Sequence, residues 1–153
     1  MVAVLPAVAR GRADPFDNGR FEGWQQPGFN DSAWQPLRTT IGWDTQGFMD
    51  PQGHVFRGAM WYRLARDLPA DTAGRSIWLC APAVVNEVWV WVNGQYAGHR
   101  AYQMPWFRPQ PVELDLTQFV RPGQRNQITL RVLNNIEVFG ASGIYERMFL
   151  YAK

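Results

Sequence analysis

Five acidic residues, Asp44, Asp50, Glu87, Glu137 and Glu146, fall in or beside the irregular stretches of this 153-residue chain. A facing pair of carboxyl groups is the minimum equipment for cleaving a glycosidic bond by acid and nucleophile. No local pattern marks out such a pair, and acids in loops commonly act as solvated or capping groups. Metal-assisted chemistry has less to build on, because His54 and His99 are the only histidines and no close cysteine or carboxylate spacing accompanies them. Cys80 is the single cysteine, so no intrachain disulfide forms and the redox compartment stays open. Its run, Ile77-Trp78-Leu79-Cys80-Ala81, predicts a buried structural thiol, since a reactive thiolate wants positive charge and exposure. Asp14-Pro15-Phe16-Asp17-Asn18-Gly19 clusters oxygen ligands for a structural calcium, but it does not match the calcium-binding loop pattern and reads equally as a turn. No other cofactor is implied, and no residue is assigned a catalytic role.

The aromatic content points instead to recognition. Eight Trp and nine Phe, within 14% aromatic and 46% apolar residues, exceed what a core usually needs. The net charge is +2 and the basic residues are scattered, which argues against nucleic acid as a partner. The opening Met1-Val2-Ala3-Val4-Leu5-Pro6-Ala7-Val8-Ala9-Arg10 lacks a basic leader and is broken by Pro6, so it is expected to be neither a signal peptide nor a membrane span. Localisation is undetermined, and a secreted or periplasmic parent protein is compatible with it.

The elements that position these residues are strands. Val88-Trp89-Val90-Trp91-Val92 meets Asn93-Gly94, a pair that readily takes the positive φ of a two-residue hairpin turn. Trp61–Leu68 alternates, and further strands are expected near 76–81, 95–100, 111–115, 126–133 and 145–152. Residues 10–60 read as loop-rich, with a turn at Asp31-Ser32-Ala33-Trp34 that tucks Trp34 inward and a short strand over 35–41. Together these predict an all-β protein, an antiparallel β-sandwich, with residues 1–15 as an extension or linker and 16–153 as a single domain. If successive strands run antiparallel, the connections at 43–60, 82–86, 101–110 and 134–144 share one end of the sandwich. That end holds most of the irregular aromatic and polar residues, and loops on a rigid scaffold commonly carry binding.

Carbohydrate recognition needs a ring against which the apolar sugar face rests, with directed donors and acceptors for the hydroxyls. The loop end supplies Trp43, Phe48, Tyr102, Trp106 and Phe139 as candidate platforms, and Asp44, His54, Arg57, Asn86, Arg108, Asn134 and Glu137 as polar partners. For each ring the alternative is that it closes the end of the core. Tyr102 and Trp106 are favoured as platforms, because Pro105 and Pro109 stiffen their loop and reduce the entropy lost on binding.

Five motifs then occur in a familiar order. Trp61-Tyr62-Arg63 is followed by Val88–Gly94 with Gly98-His99, by Asp115-Leu116-Thr117-Gln118-Phe119-Val120-Arg121-Pro122-Gly123 with Asn126, and by Ser142-Gly143-Ile144-Tyr145-Glu146-Arg147; upstream stands Gly23-Trp24 with Phe29-Asn30-Asp31-Ser32-Ala33-Trp34. Over residues 16–152 the chain resembles the N-terminal sugar-binding domain of family 2 glycoside hydrolases, which include β-galactosidases, β-glucuronidases and β-mannosidases. The resemblance implies a galactose-binding-domain-like jelly roll. It also implies that the catalytic glutamates belong to a separate barrel, for which 153 residues leave no room. The expected role is that of a non-catalytic carbohydrate-binding or accessory domain. The expected partners are carbohydrate and a catalytic glycoside hydrolase domain, with no nucleic acid or membrane; the alternative is a scaffold that contacts its neighbours through Tyr145, Arg147 and Phe149.

Overall fold

A computed structural model describes residues 1–102, 108–134 and 142–153. Its strands are β1 (Ala3–Val4), β2 (Val8–Asp14), β3 (Gln35–Arg38), β4 (Gly58–Asp67), β5 (Ile77–Val85), β6 (Glu87–Val92), β7 (Gln95–Arg100), β8 (Gln110–Asp115), β9 (Arg125–Asn134), β10 (Gly143–Ile144) and β11 (Phe149–Ala152). They form two antiparallel sheets. One runs β3-β2-β4-β9-β6-β7; the other is built around β5, which carries β8 along one side and β11 and β10 along the other, with β1 outside β11. This is the expected β-sandwich.

Strand alternation explains the core. Met60, Tyr62 and Leu64 on β4, Val88, Val90 and Val92 on β6, and Ile128, Leu130 and Val132 on β9 point inward against Ile77, Leu79 and Ala81 of β5. The hairpin forms as read: Val92 pairs with Gln95, and Asn93 and Gly94 hold φ of 51° and 82°. Asn93 also donates to Phe119 O and to Asn126 Oδ1, both at 2.9 Å, which ties the hairpin to the Pro122-Gly123 turn.

Two readings from the sequence are corrected. Residues 1–15 are not a linker over their strand-forming part: β2 lies between β3 and β4, and Ala3, Leu5 and Ala9 are buried. The signal was weak because the inward positions of β2 are small. Gly11 is one of them, and a Cβ there would meet Leu37 at 2.4 Å, so the missing side chain makes room for β3. Cys80, expected in the core, is only half-buried, because β5 turns Leu79 and Ala81 inward and Cys80 outward. Burial, then the nearby Glu113 and Glu146, push its thiol pKa up, which disfavours the thiolate.

The loop-rich first third builds a second core. Trp24 and Trp34 cover the outer face of the six-stranded sheet, where they join Trp61 and Trp91 in a separate buried cluster. This is why β4 and β9 are buried on both faces. Arg63, 3% exposed, fastens the cover: it donates to the carbonyl oxygens of Trp24 and Gln26 and pairs with Asp31 at 2.9 Å.

Candidate functional site

The register brings the predicted loops together. Gly58 pairs with Asn134, Glu87 with Leu133, Val88 with Arg100, Val84 with Gln110 and Val85 with Gly143, so the end of 39–57 that enters β4 and the ends flanking 86, 101–109 and 135–142 meet at one pole of the sandwich. Beneath those loops lies a buried polar layer. Trp43 is fully buried and its indole donates to Phe56 O at 2.9 Å. Its backbone N–H donates to Ser142 O, while Ser142 N–H donates to Tyr145 Oη at 2.8 Å. Tyr145 in turn donates to Asp44 Oδ1 at 3.4 Å, and Asn134 Nδ2 donates to Ser142 Oγ at 2.7 Å. Gly143, with φ of 101°, sits so close that a Cβ would fall 2.4 Å from Tyr62 Oη.

Of the sequence-predicted residues, Trp43 and Asn134 belong to this internal layer, and Asn86 is buried where its carbonyl oxygen accepts from Arg100; all three are at most 5% exposed and offer little surface to a sugar. Asp44 is half-buried in the same network. Tyr102 and Arg108 are exposed. Trp106, Glu137 and Phe139 lie outside the described residues. His54 and Arg57 are exposed and do come together. With Asp50, they line an open cavity of about 550 Å³ whose apolar wall is Met49, Val55 and Phe56 and which reaches Ala13 and Pro15 beside it. A tight turn holds the polar side: Asp50 accepts from the backbone N–H groups of Gln52 and His54, both at 2.9 Å, and its other oxygen pairs with His54 Nδ1 at 3.4 Å. These contacts, the His54 backbone first, lower the Asp50 pKa. In the sequence Asp50 stands only among the acids considered for a catalytic pair, and not among the sugar-binding candidates.

Glu146 is exposed, whereas Glu87, His99 and the candidate calcium ligands are engaged within the domain. Glu87 Oε1 lies 2.7 Å from His99 Nε2, and the His99 ring stacks on Trp89 at 4.7 Å. The proposed calcium ligands do not fit an ion: Asp14 accepts from Asn18 N, Gly19 N and Trp61 Nε1, and Asp17 pairs with Arg20 and Arg131. Among the described residues no cluster of three or more His, Cys, Asp or Glu is suited to a metal.

The buried layer has a titration signature. Desolvation first, with the Asp44 charge adding to it, raises the Tyr145 pKa from 10.0 to about 12. The folded state favours the neutral phenol, so this contribution to stability is fully present below pH 10 and is lost as the pH rises through about 12. Near-ultraviolet difference titration of the protein against Tyr145→Phe is expected to show the missing phenol as one that ionises around pH 12.

An antiparallel jelly-roll-type sandwich with its loops gathered at one pole defines the class, and relatives place it more closely. No family model matches the chain. A β-glucuronidase of Paenibacillus borealis is 29% identical over 133 residues, which cover 86% of this chain and 21% of the relative. One from Formosa agariphila is 28% identical over 119 residues, covering 72% of this chain and 12% of the relative. Among solved structures, a Ruminococcus gnavus β-glucuronidase in complex with D-glucuronic acid superposes with a TM-score of 0.83 at 20% identity, over 99% of this chain and 29% of that one. The chain therefore resembles one segment of the β-glucuronidases, within the glycoside hydrolase family to which its motifs pointed, and it spans about a fifth of the length of the first of these relatives.

Proposed function

We propose that this chain is a non-catalytic accessory domain of a glycoside hydrolase acting on β-glucuronides, and that it contacts carbohydrate at the loop pole. The observation that carries the reading is the open cavity at 49–57, where His54, Arg57 and Asp50 stand over an apolar wall of Met49, Val55 and Phe56. Sugars ask for that combination of directed polar groups and apolar contact. The non-catalytic part of the reading is supported by the short share of the relatives that the chain spans and by the structural engagement of Asp44 and Glu87.

A glycan array, followed by titration of the intrinsic tryptophan fluorescence with the glycans that bind, tests it. Saturable binding that weakens at least tenfold in Arg57→Ala is the expected result; silence across the array contradicts it. One observation favours a second reading. Phe16 and Phe21 are 81% and 88% exposed, which suits a surface covered by a neighbouring domain. The strand residues expected to make such contacts are partly engaged within the domain, since Arg147 donates to Leu5 O and Tyr145 belongs to the buried layer.

A further inference from the structure

The two sheets differ in what lies on their outer sides. Trp24 and Trp34 cover the six-stranded sheet, whereas no buried cluster forms outside the five-stranded one among the described residues. Strand alternation turns Ile77, Leu79, Val112 and Leu150 into the core and leaves Val4, Trp78, Cys80, Phe149 and Tyr151 facing outward, all half-buried. The register sets them in two rows across the sheet. Asp115, Trp78 and Tyr151 make one row; Glu113, Cys80, Phe149 and Val4 make the other. Phe149 and Tyr151 lean on each other with ring centroids 6.1 Å apart. The result is an apolar strip over β5, β11 and β1 with an acidic edge on β8, where Glu113 and Asp115 are exposed. A contiguous apolar surface rimmed by charge marks a contact with another protein.

The cations of this face belong to the other side of the strip. Arg147 and Lys153 flank β11 at its two ends, both are exposed, and the Lys153 ammonium rests 3.3 Å from the centre of the Trp78 ring. Arg147 donates to Leu5 O. Neither cation, nor Glu113, forms a salt bridge among the described residues. Charge is thus divided across the strands, acidic at β8 and basic at β11. Two copies facing each other about an axis parallel to the strands bring the β8 edge of each over the β11 side of the other, so unlike charges meet around the apolar centre. An axis across the strands would set acid on acid, which opposes association. Isologous contacts require this kind of self-complementarity. We infer that the outer face of the five-stranded sheet is a self-association surface whose occupant is a second copy of this chain, packed face to face about a two-fold axis parallel to the strands. The inference goes beyond the carbohydrate reading and does not depend on it.

Sedimentation velocity of the whole chain in reducing buffer, from about 5 to about 500 μM, tests it in the concentration range of weak association. The average mass is expected to rise from that of a monomer toward that of a dimer. Alkylation of Cys80, at the centre of the face, is expected to slow in parallel. Phe149→Lys and Glu113→Lys are each expected to weaken association by about tenfold or more, and adding Arg147→Glu to Glu113→Lys to restore it to within about threefold of the original. Thermal unfolding verifies that each variant folds; Glu113 is exposed, so Glu113→Lys leaves the core intact. A monomer at every concentration overturns the inference. So does association that survives both single variants, or a rising mass with no change in Cys80 reactivity, since either places the contact elsewhere. Failure of the charge exchange to restore association overturns the two-fold arrangement. Binding on the glycan array is a separate readout, so the failure of one proposal is distinguishable from the failure of the other.

Discussion

Trp61→Ala is expected to destabilise the domain by about 4 kcal/mol, which for a chain of this size corresponds to a fall in melting temperature of roughly 8–16 °C. Trp61 is fully buried on the outer face of β4 and is the hub of the second cluster. Its ring stacks on Trp91 at 5.2 Å and meets Trp24 edge-on at 5.7 Å. Its indole donates to Asp14 Oδ2 at 2.9 Å, so the alanine variant removes the ring and a partner of a buried carboxylate together. Trp61→Phe separates the two effects by keeping much of the ring, and should cost about half as much. Urea and thermal unfolding measure both. A loss below about 1 kcal/mol for the alanine variant would mean that the outer cluster fluctuates independently of the sandwich.

Arg63→Met is expected to cost about 3 kcal/mol, through a different mechanism. The guanidinium is buried beneath the cover and serves the carbonyl oxygens of Trp24 and Gln26 as well as Asp31. Methionine fills part of the volume but leaves those carbonyls without their donor. The damage should be local first: amides within 19–34 should lose hydrogen-exchange protection before those of β4 and β9. Arg63→Lys should rescue little, because a single ammonium cannot present the planar fork that reaches several acceptors. Uniform loss of protection across the whole domain would instead place the cover and the sandwich in one cooperative unit.

Much of the sandwich is legible in the sequence because its strands carry period-two patterns and its turns carry their own chemistry. Val88–Val92 with Asn93-Gly94, and the Pro122-Gly123 turn, are examples in which local preference and tertiary register agree. The gathering of loops at one pole also follows from counting strand directions. Residues 10–60 were harder for a physical reason. Trp24 and Trp34 have no strand periodicity because they serve a cover built from turns, and the sign that such a cover exists is indirect: Trp61 and Trp91 stand at outward positions of β4 and β6. The turn at Asp31–Trp34 predicts an inward Trp34, and the ring is buried, but against the outer cluster and not the central core. At the site, composition identified His54 and Arg57 without separating them from Trp43, Asn86 and Asn134, because a polar residue that caps a core and one that faces a ligand look alike until the register of β4, β9 and β10 is known.

The buried layer and the cavity divide the work at the loop pole. Trp43, Ser142, Tyr145 and Asp44 fix the base of the segment that ends in the Asp50 turn, and the turn presents His54 and Arg57 outward. A rigid base beneath exposed polar groups reduces what binding must spend on ordering them. The account is tested most directly by mapping amide chemical shifts of the isotope-labelled chain during titration with methyl β-D-glucuronide and with the strongest glycan from the array. It predicts saturable changes concentrated at 49–57 and at Ala13 on the adjoining β2. Saturation with shifts confined to the opposite pole, at 69–75, 93–94 and 118–125, or no shifts with either ligand, would contradict it.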